Sequence, residues 1–347
     1  MKLSRMITGW PRSMLFRSPY TCNIKITTRC NLKCGFCGLW SAPHGKELHL
    51  ANYRHIADLL DRAGISRVVI TGGEPLLRGD TAEITALFSK KGISTTLLTN
   101  GILLTEARLN ELIHAGLNDI GLSLHTLDAE RFEKICGRKN AWNMIVDAIK
   151  MCVEKLPNGI VEVMTTVTRE NLTEIPDIVA FVDKSLGAWS VVNPVNVPES
   201  DRAILTADST ESAPPLPAED VDAVYDKLDQ MKRNGCRLLV SERFLKDSRR
   251  YLKTGDFRWN CDAGERYFTI FPDGGLAPCS DQPIIRDITV MKPGDFRLSD
   301  YKREVRQVQK RCGGCIFSCW REATYLFSDW HVMKERFFSL NRFRKGR

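Results

Sequence analysis

Short β-rich runs alternate with amphipathic stretches along most of this chain. The runs Asn23–Thr27, Arg67–Thr71, Thr95–Thr99, Asp119–Leu124, Val161–Val167 and Trp189–Val195 are rich in β-branched residues and predict strands. Between them, Ala51–Ala63, Thr81–Lys90, Thr105–His114, Ala129–Lys155 and Thr173–Lys184 carry apolar residues at helical spacing, with a break expected near Gly137. Strands separated by helices predict βα units around a parallel sheet, an α/β fold. Six strands are too few to close an eight-stranded barrel. In such architectures the loops at the carboxyl ends of the strands host chemistry.

Beyond the sixth strand the pattern changes. Glu199–Glu219 is polar and Pro-rich, with Ser209, Thr210, Ser212, Pro214, Pro215 and Pro217, and predicts a linker or an active-site flap. A helix is expected near Ala218–Arg233, a short strand near Arg237–Val240 and another helix before Gly255. No internal repeat or low-complexity tract interrupts the chain.

A chain of 347 residues can bury a substantial core and hold one large domain plus a smaller one. Twelve cysteines without a secretory signal predict a cytoplasmic protein that uses them for metal rather than disulfides. Met1–Phe16 is basic, but Pro11 and the charges interrupt any apolar run, and no stretch approaches the length of a membrane span. The net charge of +8 is concentrated at the two ends. No acidic residue precedes Glu47, and Lys334, Arg336, Arg342, Arg344, Lys345 and Arg347 stand against Glu335 alone. Apolar side chains such as Trp10, Leu15, Trp330 and Phe338 interleave with these cations. Such segments suit peripheral contact with an anionic membrane face. They equally suit ends that pack an apolar side on the core and show cations to water. Without a recognised nucleic-acid-binding motif, the charge predicts no nucleic-acid partner.

The densest chemistry lies after the first predicted strand, in Cys30-x3-Cys34-x2-Cys37. Three thiolates in one loop can ligate three irons of a [4Fe–4S] cubane, which normally takes four, and leave one iron open. The alternative is structural zinc, but zinc knuckles come as paired cysteines with a matching Cys or His pair nearby. No such pair follows Cys37, and His44 and His49 lack knuckle spacing. The run from Thr28 to Cys37 resembles the signature of the radical S-adenosylmethionine (SAM) superfamily. That resemblance implies that the open iron binds the amine and carboxylate of SAM. Reductive cleavage then gives methionine and a 5′-deoxyadenosyl radical, which takes a hydrogen from the substrate. It also places Phe36 near the adenine. The implied fold is a partial (β/α)6 TIM-like barrel.

Later loops agree. Thr71-Gly72-Gly73-Glu74-Pro75 follows the second strand; consecutive glycines allow close backbone approach to a ligand, and Glu74 could accept from an ammonium. The run matches the family's GGEP motif, which positions the methionyl amine. Thr99-Asn100-Gly101 is read first as a tight turn, and similar runs occur in relatives. Ser123 ends the fourth strand where relatives place a ribose contact. His125 stands where many relatives have Asp; it either faces the substrate or is a polar strand-end residue, the latter preferred. Thr166 and Thr168 are SAM-contact candidates by position alone.

The last third carries Cys261, Cys279, Cys312, Cys315 and Cys319. Pro272-Asp273-Gly274-Gly275 between β-like runs predicts a hairpin that brings Cys261 and Cys279 to one end. Cys312-Gly313-Gly314-Cys315 adds a CxxC whose glycines can wrap a cluster. This resembles a shortened twitch or SPASM auxiliary domain. The implied second [4Fe–4S] cluster would be held by Cys261, Cys279, Cys312 and Cys315, with Cys319 either replacing one of them or packing as a spare thiol. Zinc remains the alternative at this site. Cys22, Cys136, Cys152 and Cys236 lie in apolar runs and read as buried small hydrophobes.

The expected organisation is a basic segment at 1–20, a radical SAM barrel at 21–198, a linker and connecting helices at 199–254, a small α+β auxiliary-cluster domain at 255–330 and a basic tail at 331–347. The resemblance implies an enzyme that binds SAM and two clusters, draws electrons from a flavodoxin- or ferredoxin-like partner, and attacks an unactivated C–H bond. A small molecule or lipid is the expected substrate. Peptide modification is the alternative, disfavoured because only about twenty residues precede the first strand. A non-catalytic iron–sulfur carrier or sensor is the rival from another class. It leaves the Gly72-Gly73-Glu74-Pro75 loop without a purpose.

Overall fold

The computed structural model describes residues 9–15, 18–41, 45–196, 214–256 and 259–336. The linker expected at Glu199–Glu219 lies outside these up to residue 213, as do the chain ends. The six expected strands form: β1 Thr21–Lys25, β2 Arg67–Thr71, β3 Ser94–Thr99, β4 Asp119–Ser123, β5 Val161–Val167 and β6 Trp189–Pro194. Neighbours pair in parallel throughout, in the order β6-β5-β4-β3-β2-β1. Helices α1 Leu50–Ala63, α2 Thr81–Lys90, α3 Glu106–His114, α4 Ala129–Cys136, α5 Ala141–Lys155 and α6 Ile175–Phe181 separate them.

Alternate strand positions point to opposite faces. On β1, Cys22 and Ile24 are fully buried in an apolar core shared with Tyr53, Ile56 and Leu60 of α1. Each such side chain contributes roughly 1.5–3 kcal/mol of burial. The other face is polar. Arg67 donates to Thr96 Oγ1 across 3.1 Å and pairs with Glu162 of β5 at 3.7 Å, bridging separate strands across the inner face. The result is mixed α/β with a parallel sheet, curved as a partial barrel.

Local chemistry adjusts the expected boundaries. β1 ends at Lys25 rather than Thr27, because Thr27 O is taken by the Gly73 N–H of a loop instead of a strand partner. The long fourth helix is split: Asp128 caps α4 by accepting from Arg131 N, and Gly137 ends it at φ 69°, a left-handed conformation that glycine adopts without strain. The last barrel helix breaks into a 3-10 turn at Leu172–Glu174, α6, and a π turn at Val182–Leu186. The strand expected at Arg237–Val240 shrinks to a bridge between Ser190 and Leu238.

After α7 Ala218–Arg233 and α8 Glu242–Thr254, the chain returns to the same sheet. β7 Tyr267–Ile270 pairs in parallel with β1, placing Thr269 opposite Asn23. The expected hairpin forms between β7 and β8 Gly275–Ala277, and β9 Arg286–Asp287 completes a nine-stranded sheet. The cysteine-bearing region therefore extends the barrel sheet rather than building one of its own. α9 Ser299–Lys310 and α10 Ser318–Ser328 follow. The segment before α10 links the two ends of the barrel. Ile316 N and Ser318 N donate to Asn196 and Asn193 beyond and on β6, while Trp320 stacks on Tyr267 of β7 with ring centroids 4.8 Å apart.

Trp10 stacks on Phe327, so this part of the amino-terminal segment packs on the core, whereas Leu15 and Trp330 are exposed. Among the described residues, no helix is long and apolar enough to cross a membrane. A pocket lined by Arg12, Ser18, Pro19 and Phe296 lies near the amino-terminal ends of the strands, away from the cysteine loops.

Candidate active site

The loop after β1 is built by its neighbours. Gly73 N donates to Thr27 O at 2.9 Å and Glu74 N to Arg29 O at 2.8 Å, so the loop after β2 grips the backbone leading into Cys30. From the other side, Lys33 N and Gly35 N donate to Cys136 O and Ile135 O at the end of α4. Trp40 Nε1 and Cys37 N both donate to Cys34 O. Cys30, Cys34 and Cys37 are thereby presented as half-buried, undisulfided thiols at the carboxyl end of the sheet. Burial pushes all three thiols up, and Cys30 and Cys34 are raised further by neighbouring thiols of the triad. Near neutrality these are thiols that a bound cation would turn into thiolates.

The glycine pair turns out to accommodate the protein's own backbone. A Cβ on Gly72 would lie 2.3 Å from Thr27 O, and one on Gly73 2.2 Å from Arg29 O. Glu74 is also used internally. Its side chain is fully buried and accepts from Leu76 N, Thr99 Oγ1 and Asn100 N, each at 2.8 Å. An ammonium would have to compete with all three donors. Pro75 opens the 3-10 turn that carries Leu76. Asn100 does more than turn the chain: its Nδ2 donates to Asn31 Oδ1 at 2.7 Å and lies 3.9 Å from Cys30 Sγ. Three consecutive βα loops thus converge on Cys30.

Phe36 presents its ring edge-on to His125, with centroids 4.7 Å apart, and His125 stacks on Phe132. His125 Nδ1 accepts from Thr166 N at 3.2 Å, which puts the ring proton on Nε2. Burial draws the His125 pKa from 6.5 down to about 4. The unfolded chain therefore binds more protons between those values, and stability falls as pH drops through the window. A displacement of this size is worth roughly 3 kcal/mol. His125→Gln should lose that acid sensitivity, read as a smaller fall in urea midpoint between pH 7 and pH 4. Ser123 is half-buried at the end of β4. Thr168 Oγ1 donates to Glu170, and the backbone of Thr166 accepts from Asn171.

In the carboxyl-terminal region, Cys261, Cys279, Cys312 and Cys315 are within electrostatic reach of one another. Cys319, at the start of α10, lies within reach of Asp281, as Cys279 and Cys315 do, and of Lys25. Tyr267 Oη lies 2.9 Å from Cys261 Sγ, and Gln309 Nε2 donates to Cys261 O and Ala263 O. Arg321 anchors the CxxC end. It is fully buried, donates to Cys315 O at 3.0 Å, pairs with Asp247 of α8 at 3.0 Å and lies over the Trp259 ring. Arg321→Met removes the cation paired with Asp247, which keeps the Tyr325 hydroxyl as donor, and leaves the Cys315 carbonyl without the Arg321 donor. It should cost about 3–5 kcal/mol in urea unfolding, and wild-type stability would show that the pair is not structural.

Among the described residues no three His, Cys, Asp or Glu side chains close round a single metal ion. A tetrahedral zinc site needs all its ligands within about 2.0–2.3 Å of one ion. A cubane needs a wider set, since each thiolate bonds a different iron. The donor chemistry fits: Cys30, Cys34 and Cys37 form one all-thiol set, backed by an amide near Cys30 Sγ that suits hydrogen bonding to cluster sulfur. Sequence reasoning missed Asn31, Lys25 and Arg321. Lys25 carried a faint signal, a cation ending a strand whose alternate residues Cys22 and Ile24 are apolar. Asn31 and Arg321 gain meaning only from partners 69 and 74 residues away.

The profile of the Radical SAM superfamily matches residues 24–182. The chain is 33% identical to PqqA peptide cyclase of Bradyrhizobium diazoefficiens over 185 residues, which is 51% of this chain and 47% of that protein. It is 28% identical to GTP 3′,8-cyclase of Aquifex aeolicus, over 83% of this chain and 93% of that one. The chain thus spans about half of the first relative and nearly all of the second. In fold it resembles Streptococcus suis SuiB bound to the precursor peptide SuiA, with a TM-score of 0.66 and 17% identity over 89% of this chain and 73% of that chain.

Proposed function

We propose, from the premise that this chain carries a radical SAM domain and is an enzyme of that family, that it abstracts hydrogen from an unactivated C–H bond of a small molecule or lipid. A second cluster would aid a redox or bond-forming outcome. The observation that carries this reading is the convergence of the Gly72–Glu74 loop and Asn100 on the backbone and thiol of Cys30.

Cys30, Cys34 and Cys37 would hold the [4Fe–4S] cluster, and residues 72–75, Asn100, Ser123 and Phe36 would surround SAM. When bound, the pair supplies reductive carbon–sulfur cleavage and a carbon radical. The chain's own part is positioning. Glu74 locks the second loop to the third, which keeps Asn100 over Cys30. Phe36, backed by His125 and Phe132, gives one apolar wall. The segment bonded to Asn193 and Asn196 covers the gap beside β6 and limits water there.

We assign this work to residues 21–198 and the second cluster to 255–330, with Cys261, Cys279, Cys312 and Cys315 as ligands and Cys319 outside the set. Four thiolates would leave no open iron, so that cluster would pass electrons rather than bind substrate. A peptide substrate is the second reading, favoured by the likeness to a peptide cyclase. The test is anaerobic: load iron and sulfide, add dithionite and SAM, and quantify 5′-deoxyadenosine by mass spectrometry. Its formation carries the reading. A fully loaded protein whose resonance spectrum is unmoved by SAM would overturn it in favour of an electron carrier.

A further inference from the structure

Lys25 is the last residue of β1 and is only 4% exposed. Its Nζ is enclosed and has no hydrogen-bond partner; the ring of Phe271 lies beneath it, 4.8 Å to the centroid. An ammonium taken from water without an anion costs several kcal/mol, and an aromatic face offsets only part of that. The groups within electrostatic reach are Asp281, Cys279, Cys37 and Cys319. They come from both cysteine regions, because β1 leads into the Cys30–Cys37 loop and pairs with β7 of the second region. Lys25 is thus a buried cation placed between two sets of thiols, and those thiols become anionic on binding iron.

We propose that Lys25 is the counter-charge shared by the two iron–sulfur clusters, a positioning residue that holds their reduction potentials up. The proposal rests on the two-cluster reading above. A cation near a cluster favours the state with one more electron, so its removal makes both clusters harder to reduce. Both clusters should respond, because the assigned ligands within reach of Lys25 are Cys279 of the second set and Cys37 of the first. Burial pulls the Lys25 pKa down to about 8, while those neighbours and Cys37 pull it back up.

The experiment is a redox titration of the fully loaded wild-type protein, Lys25→Met and Lys25→Arg, with both clusters followed by electron paramagnetic resonance and iron counted in each. In Lys25→Met the reduced-to-oxidised ratio of the second cluster at a given potential should fall about tenfold, a shift of about 59 mV for a one-electron couple. The SAM-site cluster should shift in the same direction, and Lys25→Arg should stay near wild type. Potentials unchanged in Lys25→Met, with about eight irons bound, overturn this inference alone. About four irons in the wild-type protein overturn the two-cluster reading and the inference with it. If Lys25→Met does not take up iron, Lys25→Gln carries the same expectation, and an unchanged potential there is equally decisive.

Discussion

Replacing Cys30 by alanine is expected to reduce 5′-deoxyadenosine formation to background and to lower bound iron from about eight to about four per chain. Cys30 is where three loops meet: Glu74 N grips Arg29 O just before it, Asn31 just after it takes the Asn100 amide, and that amide also sits 3.9 Å from the Cys30 sulfur. Loss of one of three thiols leaves a set too small to hold a cubane with one open site. The second cysteine group, in the region of β7, should keep its iron. Full SAM cleavage by Cys30→Ala would sink the assignment of the loop. Loss of all iron would show instead that the two groups load together.

Gly73→Ala should be nearly as damaging, although it adds one methyl group and removes no ligand. Its Cβ would lie 2.2 Å from Arg29 O and 2.7 Å from Thr28 O. Both are backbone atoms, so relief requires moving the strand-to-loop junction that aims Cys30. Forced overpacking of this kind costs about 1–3 kcal/mol. Displacing the junction should weaken SAM binding by about tenfold or more, since 1.4 kcal/mol is a factor of ten. The control is Gly79→Ala, where an added Cβ meets nothing within 4 Å and should leave both stability and SAM affinity unchanged. Equal behaviour of the two variants in a SAM titration would remove the close-approach explanation.

Parts of the active site were legible in order along the chain because the chemistry is local. The cysteine spacing and the Gly72–Pro75 run each lie within one βα loop, and strand–helix alternation puts those loops at one end of the sheet. What the glycines approach was not legible. Beside the expected approach to a ligand, both glycines lie against Thr27–Arg29, a segment on the neighbouring strand's loop. Glu74 read as an acceptor for an ammonium, and in the structure it is also a buried crosslink between loops. His125 read as either a substrate-facing or a strand-end residue, and its burial between Phe36 and Phe132 shows a packing role.

Residue order alone determined the parallel α/β core, the two cysteine groups and the hairpin between Cys261 and Cys279, because periodicity, turn chemistry and ligand spacing are all short-range. Tertiary structure decided that β7 adds to β1, so the strand that leads into the first cysteine group is paired with one from the region of the second. It also decided that Lys25 is a buried cation within electrostatic reach of thiols from both groups. Those outcomes depend on which strand edge accepts the returning chain. That choice is set by hydrogen-bond pairing and burial between segments more than two hundred residues apart, and no local pattern encodes it.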